Sequence, residues 1–275
     1  MPVISLISDW NSADYYIGAV KGRILSSIPD AVIVDINHQI EPFNLIQAVY
    51  VLKNAYKNFP KGSIHIIAVN SETDEKRKHV IVKYDGHYFI GADNGIFFLM
   101  TEGQIEQLIE IEEKPTGGFP ELNIFADLAC EILKNKDIEQ LGKSKKELFR
   151  QLPMLPMYEE SKIIGKVIYI DSYHNVITNV SKDLFDEIGK NRSFKIFVQS
   201  NKSVITKINK KYNETENGEL LAIFNSVGLL EIAIARAKAA QLLSLDTKSE
   251  IRIVFDNKEE NDRKDSKNDL QGRLF

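Results

Sequence analysis

Residues 3–22, VISLISDWNSADYYIGAVKG, constrain the fold more than any other stretch of the chain. Residues 3–7 are a short apolar, β-branched run closed by polar residues, the pattern of a strand buried in a parallel sheet. Residues 8–14 read as a polar turn. From Tyr15 onward apolar residues recur at Ile17, Ala19, Val20 and Ile24 with helical spacing, and Asp14 or Ser12 is available as N-cap. A strand, an acidic turn and a helix in this order imply an open α/β sheet, where ligands bind outside the carboxyl ends of the strands. Ser8, Asp9 and Trp10 therefore fall at the predicted site. The turn carries no glycine-rich phosphate fingerprint, and a carboxylate in it repels phosphate. Asp9 suits hydroxyls instead, because it can accept two hydrogen bonds from a vicinal diol such as ribose. Taken alone, the same aspartate would also serve as an ordinary helix cap.

The following sequence continues the alternation. Residues 31–36 and 63–69 are apolar runs with strand character, and residues 44–58 have helical spacing. Residues 79–84 and 87–91 form a predicted hairpin around the turn pair Asp85-Gly86, and residues 92–95 a tight turn. Residues 1–150 are thus expected to be an α/β domain with a mainly parallel sheet covered on both faces. Residues 151–161, with two prolines and no period, read as a linker. Beyond it, β-rich runs at 163–170, 175–180, 194–198, 203–208, 220–224 and 251–255 are separated by Asp, Asn, Gly and Lys clusters. Residues 162–255 are therefore expected to be all-β, an antiparallel barrel-like or sandwich domain, interrupted by an Ala- and Leu-rich helix over 229–243. Residues 256–275 are almost wholly charged and polar and are expected to be a disordered tail.

Composition excludes several classes of function. A net charge of -4 leaves no basic footprint for nucleic acid. The single cysteine, Cys130, lies in an apolar helical stretch, is expected in the core, and precludes a disulfide within the chain. No run approaches a membrane span and no basic-then-apolar leader opens the chain, so the expectation is a cytoplasmic protein. His38, His65, His79, His87 and His174 are scattered, without metal-ligand spacing, and no metal is expected. No P-loop is present for a polyphosphorylated nucleotide.

Five motifs then occur in a telling order: SDW with DYYIGAVKG (residues 8–22), VDINHQIEPF (34–43), ADNGIF (92–97), IDSYHNVITNV (170–180) and FNSVGLLEIA (224–233). Together they resemble the S-adenosyl-L-methionine hydroxide adenosyltransferase family, adenosine-forming hydrolases related to fluorinating and chlorinating enzymes. The counterparts there are TDFG with DxYVGxMKG, VDI(T/S)HxIxPF, PDNGLL, IDxFGNLxTNI and NSxGxLEIA. The resemblance spans residues 3–255 and implies an α/β domain, a β-barrel-like domain and a homotrimer. Substrate would lie between one subunit's first domain and a neighbour's second. It implies that Asp9 holds the ribose diol, that Phe43 forms an apolar wall, and that Asp171 faces the methionine ammonium. Tyr173 would stack on adenine, Asn175 would bond the base edge, and Asn225 with Ser226 would bind the amino-acid end. Thr73 matches a hydroxyl position of the halide-binding relatives. No cofactor is implied.

The chain departs from the family where the reaction occurs. The family's VDPGVG loop, with an arginine seven residues beyond its aspartate, reads VNSETDEKR here, so Asn70 replaces the aspartate while Arg77 is kept. The family's FHGRDIF reads FPELNIF over 119–125, which puts Pro120 at the histidine position. An amide and a proline cannot take a proton as carboxylate and imidazole do, at an expected cost of about 10² to 10⁴ in rate. Asn70 and Arg77 could still hold a water, and Glu72, Glu121 and His174 are candidate replacement bases. His174 is favoured among them because histidine is the side-chain type that ordinarily changes charge near neutrality and it stands between two expected ligand contacts. Two functions follow: hydrolysis of S-adenosyl-L-methionine to adenosine and methionine, or a sensor or partner module that holds the nucleoside without turning it over.

Overall fold

The computed structural model of the protein describes residues 3–112, 118–199 and 203–256. The chain divides into two compact units between Pro153 and Met154, inside the stretch read as a linker. The expected disordered tail falls, apart from Asp256, outside the described residues.

The first unit is a seven-stranded sheet built from β1 (Ile4–Ser8), β2 (Ile33–Asn37), β3 (Ile64–Ala68), β4 (His79–Tyr84), β5 (His87–Ala92), β6 (Gln107–Glu110) and β7 (Lys143–Ser144). Their order is β2-β1-β3-β5-β4-β6-β7. The pairs β2·β1, β1·β3 and β3·β5 are parallel, whereas β5·β4, β4·β6 and β6·β7 are antiparallel. The sheet is therefore mixed, which corrects the expectation of a mainly parallel one. The reason is the hairpin: Asp85 and Gly86 both have positive φ, 48° and 69°, the geometry of a two-residue primed turn, and such a turn can only join antiparallel neighbours. Beyond that hairpin the sheet continues antiparallel.

Helices α1 (Tyr16–Ser27) and α4 (Ala126–Leu133) cover one face, α2 (Leu45–Ala55) and α3 (Ile96–Thr101) the other. Val20 and Ile24, one helical turn apart on α1, are fully buried, each worth about 1.5–3 kcal/mol relative to exposure. Asn44 caps α2 by accepting from Gln47 N at 3.0 Å. The expected cap at the start of α1 is absent: Tyr15 occupies that position and makes no side-chain cap. The turn before it is instead organised by Asn11, whose Oδ1 accepts from Ala13 N and whose carbonyl accepts from Asp14 N. Between sheet and helices lies a buried polar chain, Ser5 Oγ to His65 Nδ1 at 2.6 Å and His65 Nε2 to His87 Nδ1 at 3.2 Å. Burial, aided by His87, pushes His65 down to about 3, so it is held neutral.

The second unit contains β8 (Met157–Glu159), β9 (Lys162–Ile170), β10 (Val176–Ser181), β11 (Phe194–Val198), β12 (Val204–Ile205), β13 (Ile208–Asn209), β14 (Leu220–Phe224), β15 (Leu229–Ile234) and β16 (Glu250–Phe255), with α5 (Lys182–Gly189) and α6 (Ala239–Leu242). The order β12-β11-β16-β9-β10-β15-β14-β13 is antiparallel except for β13·β14, and β12 approaches β14, so the sheet curls into a nearly closed barrel. The helix expected over 229–243 is a strand followed by a short helix. Gly228, at φ 75°, turns the chain back, and β15 is then paired on both sides, with β10 and β14. Two rows of ladder hydrogen bonds and the burial of Leu230 and Ile232 override the helical preference of Ala and Leu. Helix α5, capped by Ser181, falls in a segment where no helix was expected.

Candidate active site

A cleft of about 830 Å³ opens in the first unit beside the carboxyl ends of β1 and β3. Three chain segments supply its walls. The turn after β1 gives Asp9, Trp10 and, at the entry to α1, Tyr15 and Tyr16; the loop after β3 gives Asn70, Ser71, Glu72 and Thr73; and the segment before α4 gives Phe119, Pro120 and Glu121. Phe43, His79 and Gly118 complete it. Trp10, Tyr16 and Phe119 pack against one another, with Phe119 meeting both of the others edge-on at 5.6 and 5.3 Å, which fixes an apolar wall. Tyr15 and Phe43 are 71% and 68% exposed, an aromatic lip available to a planar or sugar ligand.

Asp9 is the pivot of this arrangement. Its Oδ2 accepts from Phe43 N at 3.0 Å and from Asn70 N at 3.2 Å, tying the loops after β2 and β3 to the end of β1. Its Oδ1 takes no hydrogen bond among the described residues, which leaves a spare acceptor for a hydroxyl on a residue that lines the cleft. Both tethered residues have left-handed backbones, Phe43 at φ 65° and Asn70 at φ 48°, an unfavourable conformation that the carboxylate clamp sustains. Asn94, buried in the ADNG turn, donates to Val69 O and Asn70 O at 3.0 and 2.8 Å and holds the same loop from behind. Ser8, next to Asp9, is not in the lining. Its Oγ lies 2.7 Å from His38 Nδ1, while His38 Nε2 is 3.1 Å from Asp35 and Asp35 is paired with Lys21, so this chain buttresses the end of β1.

The remaining polar lining was less legible in the sequence. Glu121 is only 4% exposed although it lines the cleft, at the start of a single π-helical turn, Glu121–Phe125, of a kind that often marks functional positions. Burial raises its carboxyl above the ordinary range, with nearby Asp9 acting in the same sense and the Ser71 hydroxyl partly opposing it. Ser71 Oγ is buried without a hydrogen-bond partner. His79 Nε2 is 3.0 Å from Ser71 O, and its ring packs edge-on against Phe125 at 4.9 Å. Arg77 lies outside the lining. Its Nε donates to Asp74 Oδ2 at 2.7 Å within the loop, and the guanidinium holds the Asp74 carboxyl down at about 2.

In the second unit the other predicted residues gather on two loops at the ends of β9 and β14. Asp171 Oδ1 accepts from Tyr173 N and Asn175 N, and its Oδ2 accepts from Asn175 Nδ2 at 3.1 Å. His174, at φ 63°, sits at the apex of this turn, and its carbonyl accepts from Ala240 N. Asn225 Oδ1 accepts from Val227 N and Leu229 N, each at 3.1 Å, leaving Ser226 exposed on the neighbouring turn. Between the loops stands Glu231 on β15, 4% exposed, bonded by Tyr212 Oη at 2.7 Å. Burial raises its carboxyl, and Asp171 adds to this, while the Tyr212, Asn225 and Asn175 side chains work against it. Tyr173 is 77% exposed, an aromatic face without a neighbouring ring among the described residues.

The described residues include no group of three or more His, Cys, Asp or Glu placed to hold a metal ion, and no helix long and apolar enough to cross a membrane. Fold and cleft define a two-unit protein, a mixed α/β sheet and a barrel-like β unit, with a carboxylate-bearing cleft at the strand ends of the former. The chain belongs to the S-adenosyl-L-methionine hydroxide adenosyltransferase family: residues 4–142 match its N-terminal domain and residues 165–252 its C-terminal domain. A Methanocaldococcus jannaschii protein named (R)-S-adenosyl-L-methionine hydrolase is 32% identical over 269 residues, 93% of this chain and 97% of its own. One of the same name from Thermus thermophilus is 24% identical over 92% of this chain and 100% of its own. The crystal structure of an uncharacterized conserved protein from Thermotoga maritima superposes with a TM-score of 0.82 at 29% identity, covering 92% of this chain and 100% of that one.

Proposed function

We propose that the protein is an enzyme that hydrolyses S-adenosyl-L-methionine to adenosine and L-methionine through attack of water at the ribose C5′ carbon. The C5′–S bond breaks as the C5′–O bond forms; sulfur keeps the electron pair and leaves as a neutral thioether, so no acid is needed at the leaving group, and one water proton is released. The observation that carries this function is Asp9, clamped on one oxygen by two backbone amides and open on the other within an aromatic-lipped cleft. A diol fits that geometry, and the relatives named as hydrolases supply the substrate. Asn70, with Thr73 beside it, would help position the attacking water from the loop after β3, and Arg77 would act through the loop it braces. Asp171, Tyr173, Asn175, Asn225 and Ser226 would take the amino-acid end and the base, contributed in a homotrimer by a neighbouring copy, and His174 would border them. The carboxyl of Glu121 in the cleft argues against halide as the nucleophile, since an anion is repelled there.

Incubation with S-adenosyl-L-methionine, with products resolved by liquid chromatography, tests this. Adenosine and methionine should appear in equal amounts, and light scattering should give three chains per particle. Intact substrate recovered alongside tight binding would refute turnover.

A further inference from the structure

We infer that Glu121 is the general base of this enzyme, taking a proton from a water held between its carboxylate and the Ser71 hydroxyl as that water attacks C5′. The inference rests on the hydrolysis proposed above and concerns which group of this chain performs it.

Three observations converge on Glu121. First, it is a carboxyl group 4% exposed that nonetheless lines the cleft containing Asp9, so it can meet a ligand while shielded from bulk solvent. Glu72 lines the same cleft but is exposed, so bulk water competes for its carboxylate. Second, Ser71 lines the cleft and its Oγ is buried with no hydrogen-bond partner, a destabilising arrangement unless a ligand or water satisfies it. The two groups are near enough for the Ser71 hydroxyl to influence the Glu121 carboxyl. Third, the sequence changes are reciprocal. Where the family motifs carry aspartate followed by proline, this chain has Asn70-Ser71; where they carry histidine followed by glycine, it has Pro120-Glu121. In each loop the polar group is displaced by one residue, and both of the new residues line the cleft.

The elements packed around Glu121 leave it in a distinctive electrostatic position. Asp9 from the end of β1 raises it, and Glu72, His79, Tyr15 and Tyr16 share the cleft. Asp127 of α4 is turned outward to Arg23, and His65 and His87 lie with Tyr56 on the opposite face of the sheet. No cation pairs with Glu121 among the described residues, so burial outweighs the Ser71 hydroxyl and the backbone hydrogen bond that oppose it, and its proton affinity stays raised. A base of elevated affinity is what proton removal near neutral pH needs. The proton passes from water to Glu121 as C5′–O forms, sulfur takes the electrons of C5′–S, and Glu121 releases the proton to solvent once adenosine leaves.

The test compares wild type, Glu121→Gln and Glu121→Asp for turnover across pH and for substrate affinity by calorimetry. Wild-type turnover should rise with pH through a single carboxyl-like limb. Glu121→Gln should lose about 10²- to 10⁴-fold in kcat, bind substrate within threefold of wild type and lack that limb. Glu121→Asp should retain it, displaced, at a reduced rate. If Glu121→Gln fails to fold, the displacement in Glu121→Asp decides alone: an unmoved limb overturns the assignment. Wild-type turnover matched by Glu121→Gln within threefold, with the same pH profile, would also overturn it while leaving hydrolysis standing. No adenosine from wild type would sink hydrolysis and the base together.

Discussion

The Asp9 cleft and the Asp171–Asn225 loops contain similar residue types and use them in opposite ways. Around Asp171 almost every polar atom is engaged: both carboxylate oxygens accept within the turn, and Asn225 Oδ1 closes its own. What remains exposed is a rigid, aromatic-tipped platform carrying Tyr173. Around Asp9 the binding capacity is left over: one carboxylate oxygen, a buried unpartnered hydroxyl and a buried carboxyl of raised proton affinity. On the proposed function, the preformed platform would recognise, whereas the unsatisfied groups of the cleft would react. The same residue types would then contribute orientation in one unit and chemistry in the other.

This contrast can be broken at several points. The largest expected effect is acid sensitivity confined to the first unit, which holds His38, His65, His79 and His87, whereas the second holds only His174. His65 is held at about 3 in the fold, so the unfolded chain binds more protons than the folded one between that value and the ordinary histidine range. Stability should therefore be complete above about pH 6.5 and fall by about 1.4 kcal/mol per pH unit within that window. Trp10, the only tryptophan, reports the first unit by fluorescence in urea titrations from pH 7 to 4. His65→Gln should flatten the slope; an unchanged slope would remove the buried pair from the account.

Next comes Asp9→Ala, which should weaken adenosine binding by about 1–3 kcal/mol, measured by calorimetry, because a charge-assisted acceptor is lost. Unchanged affinity would show that the ribose is not held there. Asp171→Ala removes three hydrogen bonds that close a turn and should lower stability by about 1–2 kcal/mol in urea. A loss of affinity with no loss of stability would mean that Asp171 reacts to ligand rather than building the platform. The smallest effect is expected for Arg77→Ala, whose partner Asp74 is on the exposed loop surface, so the urea midpoint should stay within error of wild type.

Much of this was legible because it rests on local rules. The β1 strand, its acidic turn and the following helix, the Asp85-Gly86 hairpin and the division near residue 153 follow from periodicity and turn chemistry. The sheet was misjudged as mainly parallel because strand direction depends on which strands pair, and composition does not report that. Residues 229–243 read as a helix on their Ala and Leu content, and pairing on both sides of β15 won. Asp9 was found from the strand–turn–helix order alone. Ser71 and Glu231 were not singled out, since burial is what gives each its meaning, and neither burial nor the cleft shared by Ser71 and Glu121 is visible in a linear chain.

The most direct test of the account is turnover of S-adenosyl-L-methionine in water enriched in oxygen-18, with mass spectrometry of the adenosine formed. Attack of water at C5′ within the Asp9 cleft predicts one heavy oxygen per adenosine, located at the 5′-hydroxyl, with methionine unlabelled. Adenosine without label at that oxygen, or no adenosine at all, would contradict it.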